Sequence, residues 1–139
     1  MATYGQPRRL NAVTFVMILM GLAAGYWVWR FFPAYFDGWN VDHLLKEAAS
    51  KTYRLNRMQE PERSKELKSL VDKTLADIRK QGNVTDPELS VSLDVDPEGK
   101  NAAVTADYHV EITHPWITQT TLLHFHKTET ADIKKVKWE

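Results

Sequence analysis

The sequence predicts an α+β protein, with one N-terminal transmembrane helix and two amphipathic helices packed on a three- to four-stranded antiparallel sheet. Three observations predict it. A long uncharged apolar run lies near the N-terminus, apolar residues then recur at helical spacing, and further on the period switches from 3.6 to 2. With 139 residues, the chain has room for one small domain beside the apolar run.

The first element is the apolar run. From Ala12 to Trp29 there are 18 consecutive residues without a charge. A helix over about 10–32 would extend roughly 34 Å, enough for a hydrocarbon core of about 30 Å. Its exit side carries a second signal: Tyr26, Trp27, Trp29, Phe31, Phe32, Tyr35, Phe36 and Trp39 place eight of the chain's 15 aromatic residues in a 14-residue window. Trp and Tyr favour the headgroup level, so Tyr26, Trp27, Trp29, Tyr35 and Trp39 read as a membrane-interface belt, with Arg30 snorkelling to the same level. The other reading of this set is a docking surface anchored by the tryptophans.

A cleavable signal peptide would use Arg8-Arg9 as its charged region and Gly21-Leu22-Ala23 as its cleavage site. Apolar character continues well past that point, which favours a retained span. Arg8 and Arg9 before the span, with Asp37 and Asp42 offsetting Arg30 and Lys46 after it, favour a cytoplasmic N-terminus. In a bacterium the span then lies in the inner membrane and the C-terminal domain in the periplasm. Gly21 and Gly25, with Ala24 beside them, form a small-residue face on which another helix could pack closely.

Pro33 and the Asp37-Gly38 step are expected to end the span. Residues 1–36 thus form tail, span and interface, and residues 37–139 a soluble domain. In the domain, Asn40 suits an N-cap. Val41, Leu44, Leu45, Ala48, Thr52 and Leu55 give an amphipathic helix over 40–58. The next helix, 61–81, starts at Glu60-Pro61-Glu62. Its stripe is Leu67, Leu70, Val71, Thr74, Leu75 and Ile78, and it closes with Arg79-Lys80 and a C′ glycine, Gly82.

Leu89, Val91, Leu93 and Val95 alternate with polar residues and give a strand over 88–95. Asp96-Pro97-Glu98-Gly99 is a turn in which glycine supplies the positive φ. Ala102, Val104, Ala106, Tyr108, Val110 and Ile112 mark a second strand, 101–113. His114-Pro115 breaks the ladder before a third strand, 116–128. Ile133, Val136 and Trp138 suggest a short fourth strand or a docked tail. Short turns make the strands antiparallel neighbours, with one face under the helices.

The formal net charge is zero, but residues 1–36 hold three arginines and no acid, so the remainder carries −3. The part from Gly82 onward holds five basic residues against ten acidic ones. That balance excludes a typical nucleic-acid-binding surface. With no cysteine, disulfides, thiolate metal sites and a cysteine nucleophile are excluded. No phosphate loop, nucleophile elbow or zinc-protease helix motif occurs, so no cofactor and no enzymatic activity are expected. The candidate metal ligands are His109, His124 and His126. With Leu123 and Phe125 in the core, His124 and His126 face outward, and His109, opposite the Ala102–Ile112 stripe, also faces outward near Asp107 and Glu111; ordinary polar-face residues would follow the same pattern.

The segments Phe32-Pro33-Ala34-Tyr35 and Val41-Asp42-His43-Leu44-Leu45-Lys46-Glu47-Ala48, following an apolar span, resemble a bacterial family of single-span envelope proteins. The layout is also similar to that of type IV pilin-like proteins. The chain departs from prepilins at Gly5, which is followed by Gln6-Pro7-Arg8-Arg9 rather than by an apolar segment with an early glutamate. The resemblance implies an envelope location and no enzyme activity. The function expected is a non-catalytic accessory or scaffolding subunit of a membrane complex, with other membrane subunits and the lipid bilayer as partners. A filament or secretion component and a ligand- or metal-binding envelope domain are the alternatives.

Overall fold

The structure, a computed structural model, describes residues 11–133. Its elements are α1 (Ala12–Leu55), α2 (Glu62–Gln81), β1 (Ser90–Val95), β2 (Asn101–Thr113) and β3 (Thr120–Asp132). The strands form one antiparallel sheet in the order β1-β2-β3. The fold is thus α+β, with two helices rather than the three expected and with three strands among the described residues. The chain divides into two units, Met1–Pro33 and Ala34–Glu139.

In the first unit, α1 presents its apolar side chains outward. Val13, Phe15, Met17, Leu19, Leu22 and Trp27 are all exposed, and the segment is long and apolar enough to cross a membrane. Aromatic rings pair along the helix surface, with Trp27 stacked on Phe31 at 5.3 Å and Tyr26 edge-on to Trp29 at 6.3 Å. The Arg30 guanidinium lies 5.6 Å from the Trp29 ring centroid.

The expected helix break at residues 33–38 does not occur, because α1 continues through Pro33 to Leu55. Proline costs one backbone hydrogen bond and a carbonyl clash in a helix interior. Against that cost stands an uninterrupted buried stripe: Ala34, Gly38, Val41, Leu45, Ala48 and Thr52 keep helical phase. A break near Gly38 would lift Ala34 and Gly38 out of that stripe. A Cβ at Gly38 would lie 3.2 Å from Lys127 Cε, the end of a flexible side chain that has to give by only a few tenths of an ångström. Asn40 therefore sits inside the helix and caps nothing. Val41, Leu45 and Ala48 of the stripe pack with Ile78, Val84, Leu89, Val104, Ala106 and Tyr108 into one core.

Buried hydroxyls in the helices are satisfied locally: Thr52 Oγ1 donates to the Ala48 carbonyl at 3.2 Å and Thr74 Oγ1 to that of Leu70 at 2.7 Å. α2 begins at Glu62, with Pro61 as its N-cap. Gly82 departs from the C′ role predicted for it. Its φ is −82°, and the left-handed residue is Asn83, with φ 53°.

In the sheet, the turn after β1 forms as the sequence implies: Gly99 has φ +66° and its N–H donates to the Asp96 carbonyl at 2.7 Å. β2 matches its predicted bounds, and Ala102, Val104, Ala106, Tyr108 and Ile112 are buried. β1 starts at Ser90 rather than at 88. β3 occupies 120–132 instead of 116–128, because the loop after Pro115 is longer than expected. Ile117 N–H closes a turn onto the His114 carbonyl, and the ladder resumes at Thr113↔Thr120. Ile133 is buried and its N–H donates to the Lys100 carbonyl at 2.9 Å; Val136 and Trp138 lie outside the described residues. Tyr108 stacks on Phe125 at 5.2 Å, and Tyr35 meets the same ring edge-on at 5.8 Å. Lys127 reaches Asp42 on α1 at 2.9 Å.

Candidate functional site

The polar face of the sheet carries the only titratable cluster that both the sequence and the structure single out among the described residues. Strand alternation turns Tyr108, Val110, Leu123 and Phe125 toward the helices and therefore turns Asp107, His109, His124 and His126 to the other face. His109 stands opposite His124, and Asp107 opposite His126. The His109 and His124 rings stack at 4.7 Å with an interplanar angle of 21°.

That close stacking has a backbone cause. β1 pairs with β2 only as far as Ser90↔Asp107, so no β1 residue stands opposite His109. The Asp86 carboxylate fills the first vacant position: Oδ2 accepts the His109 N–H at 2.6 Å, and Oδ1 accepts the Glu88 N–H at 2.9 Å. With the His109 N–H directed at Asp86 and away from β3, His109 and His124 form a non-hydrogen-bonded pair, the kind whose side chains approach most closely.

The histidines divide into two groups. His109 Nδ1 is 3.2 Å from Asp86 Oδ2 and 4.0 Å from Glu88 Oε2, and the three donor atoms lie within 4.8 Å of one another. His126 Nδ1 is 2.6 Å from Asp107 Oδ1, and His124 Nε2 approaches the same oxygen at 3.4 Å. The predicted trio therefore does not converge on one point. Sequence reasoning missed Asp86, in the connection before β1, and Glu88, which it places in the strand over 88–95. The one available signal was Asp86-Pro87, a turn-forming dipeptide.

Both aspartates are held below their ordinary carboxylate value of 3.8. For Asp86 the backbone N–H of Glu88 is the largest cause, followed by that of His109. For Asp107 the hydrogen bond with His126 leads, reinforced by the charges of His126 and His124. A carboxyl depressed in the folded state contributes stability above its unfolded value and loses it as pH falls through the folded one. The melting temperature of the full chain in detergent is therefore expected to fall as pH drops below about 4. Asp86→Asn with Asp107→Asn should flatten that fall while lowering the melting temperature at neutral pH, as read by circular dichroism with EDTA present.

The remaining sequence-predicted site residues fall in both units. In the first unit, a Cβ built on Gly21 or Gly25 would meet nothing within 4 Å, so the small-residue face around Ala24 is open. In the second, Tyr35 packs its ring on Phe125, whereas Trp39 is exposed beside Phe36 at 6.4 Å. No protein-family model, curated protein or solved structure matches the chain.

Proposed function

We propose that the chain is a single-span membrane-anchored accessory subunit, with its N-terminus in the cytoplasm and its α+β domain outside, working by contact rather than by catalysis. One observation carries this reading: none of the apolar residues from Ala12 to Trp29 is buried. An uncharged surface of that length has no stable place in water and matches a hydrocarbon core in both extent and chemistry. The open Gly21–Gly25 groove supports a helix partner within the bilayer, where small residues let backbones pack. The aromatic collar from Tyr26 to Trp39 supports an interface position.

Crosslinking of native membranes followed by mass spectrometry tests the subunit role. The expected result is a reproducible adduct with another membrane protein, lost in a Gly21→Ile, Gly25→Ile chain that still reaches the membrane. A monomer that crosslinks to nothing would overturn it.

A second reading is favoured by the Asp86–Glu88–His109 triangle, whose donor types suit a divalent cation. Its 3.2 Å edge is near the ligand spacing of a four-coordinate zinc, about 3.4 Å for bonds of about 2.1 Å. Calorimetric titration of the full chain with zinc would show one saturable site that His109→Ala removes. No heat above that of the variant ends this reading.

A further inference from the structure

The two ends of the sheet differ in chemistry. At the β1–β2 turn, Asp94, Asp96, Glu98 and Lys100 crowd together, with Lys100 ion-paired to Glu98. At the other end, the β2–β3 loop and its flanking strand ends, Ile112 to Leu123, contain no Asp, Glu, Lys or Arg. This neutral end also exposes large apolar groups: Trp116 is 84% exposed, Ile117 59% and Leu122 66%. Trp116 and Ile117 sit in the loop, and Leu122 lies at the start of β3.

Contacts within the second unit show which of its ends carries Ala34, its first residue. Along α1, Tyr35 touches Phe125, Asp42 reaches Lys127, and Asn56, just past the helix end, lies against Gly99 in the charged turn. β3 runs from Thr120 through Phe125 and Lys127 to Asp132, which pairs with Asn101 beside that same turn. This stretch of α1 and β3 therefore run in the same sense. Ala34, where the unit begins directly after the apolar segment, is at the end that carries the β2–β3 loop. The five residues from Phe125 back to Thr120 carry that end of β3 roughly 17 Å further in this direction.

We propose that the β2–β3 loop is a second membrane contact, in which Trp116 and Ile117 enter the headgroup layer of the bilayer; this rests on the membrane-anchored reading above. Three features make lipid the occupant. The loop lies at the same end of its unit as Ala34, it carries the residue type that partitions best to the interface, and no formal charge lies within it, the first on the flanking strands being Glu111 opposite Leu122. The one titratable group of the loop, His114, is engaged through Nε2 with Thr121 Oγ1 at 2.8 Å. The charged turn at the opposite end has the composition of a surface left in water.

Because the chain has no cysteine, a single introduced one can carry a spin label without background. The full chain is reconstituted in phosphatidylcholine–phosphatidylglycerol vesicles with a label at Leu19→Cys, Ile117→Cys or Glu98→Cys. Each label is then read for collision with dissolved oxygen, which concentrates in lipid, and with a water-soluble nickel chelate. The expected result is that labels 19 and 117 are reached by oxygen and shielded from nickel, whereas label 98 shows the reverse. Adding Trp116→Glu should cost label 117 its nickel protection and leave label 19 unchanged. If label 117 behaves like label 98 while label 19 is in lipid, the loop contact is overturned and the anchor stands. If label 117 is shielded from both reagents, the loop is buried against protein and the lipid contact is again overturned. If label 19 is in water, the anchored reading fails and this inference fails with it.

Discussion

A chain carrying Leu19→Arg and Leu22→Arg is expected to lose its hold on the membrane, passing from the alkali-resistant pellet to the extractable fraction. Both leucines are exposed on α1 and lie within the uncharged segment. A charged residue near the centre of a membrane helix costs about 2.5–3.5 kcal/mol on the insertion scale. Two such residues amount to roughly 6 kcal/mol, about four orders of magnitude in partitioning. The experiment discriminates because the sign depends on the surroundings. In water, replacing exposed leucines by arginines removes apolar surface and would leave the fold intact and more soluble. A control arginine at Ser69, on the exposed side of α2, should leave retention unchanged. If the double variant stays in the alkali-resistant fraction, the apolar half of α1 is not held by lipid.

What could be read in the sequence, and what could not, follows from the range of the forces involved. The alternation of Ala102 to Ile112 against polar neighbours fixed β2 to the residue, because the period-2 pattern is local and strongly buried on one side. The same alternation put His109, His124 and His126 on one face. Their division between Asp86 and Asp107 depends on register and on where β1 ends, and neither is written in any short window. α1 departs from its local sequence signals for the opposite reason. Pro33 and Gly38 are local signals for a break, and both were overridden by the non-local benefit of keeping Ala34 and Gly38 in the buried stripe. The start of β3 failed because a His114-Pro115 break marks where a ladder ends and carries no information on where the next strand begins. For the candidate contacts at Gly21–Gly25 and Trp116, the sequence gives residue type; the structure adds exposure and, for Trp116, the end of the sheet on which it lies.

Gly82 shows how two physical accounts of one residue lead to opposite mutational outcomes. Read as a C′ glycine, its value would lie in reaching positive φ, and asparagine would be the best replacement. In the structure its φ is −82°, open to any residue, and the constraint is space: a Cβ would fall 2.7 Å from the Ile78 carbonyl oxygen and 2.8 Å from Val41 Cγ2. The first neighbour is backbone, and the second belongs to a fully buried valine on α1, so neither yields easily. Gly82→Ala and Gly82→Asn should therefore both destabilise the chain by about 1–3 kcal/mol, the range for forcing atoms into a filled core. Asn83, which carries the positive φ, should behave in the reverse manner: Asn83→Gly is expected to be neutral, whereas Asn83→Val should cost about 1–2 kcal/mol for a branched residue in the left-handed region. Urea unfolding of the four variants in detergent, followed by circular dichroism, checks both. Equal tolerance of asparagine and glycine at position 82 would show that α2 ends on a left-handed glycine after all and that Val41 does not press against it.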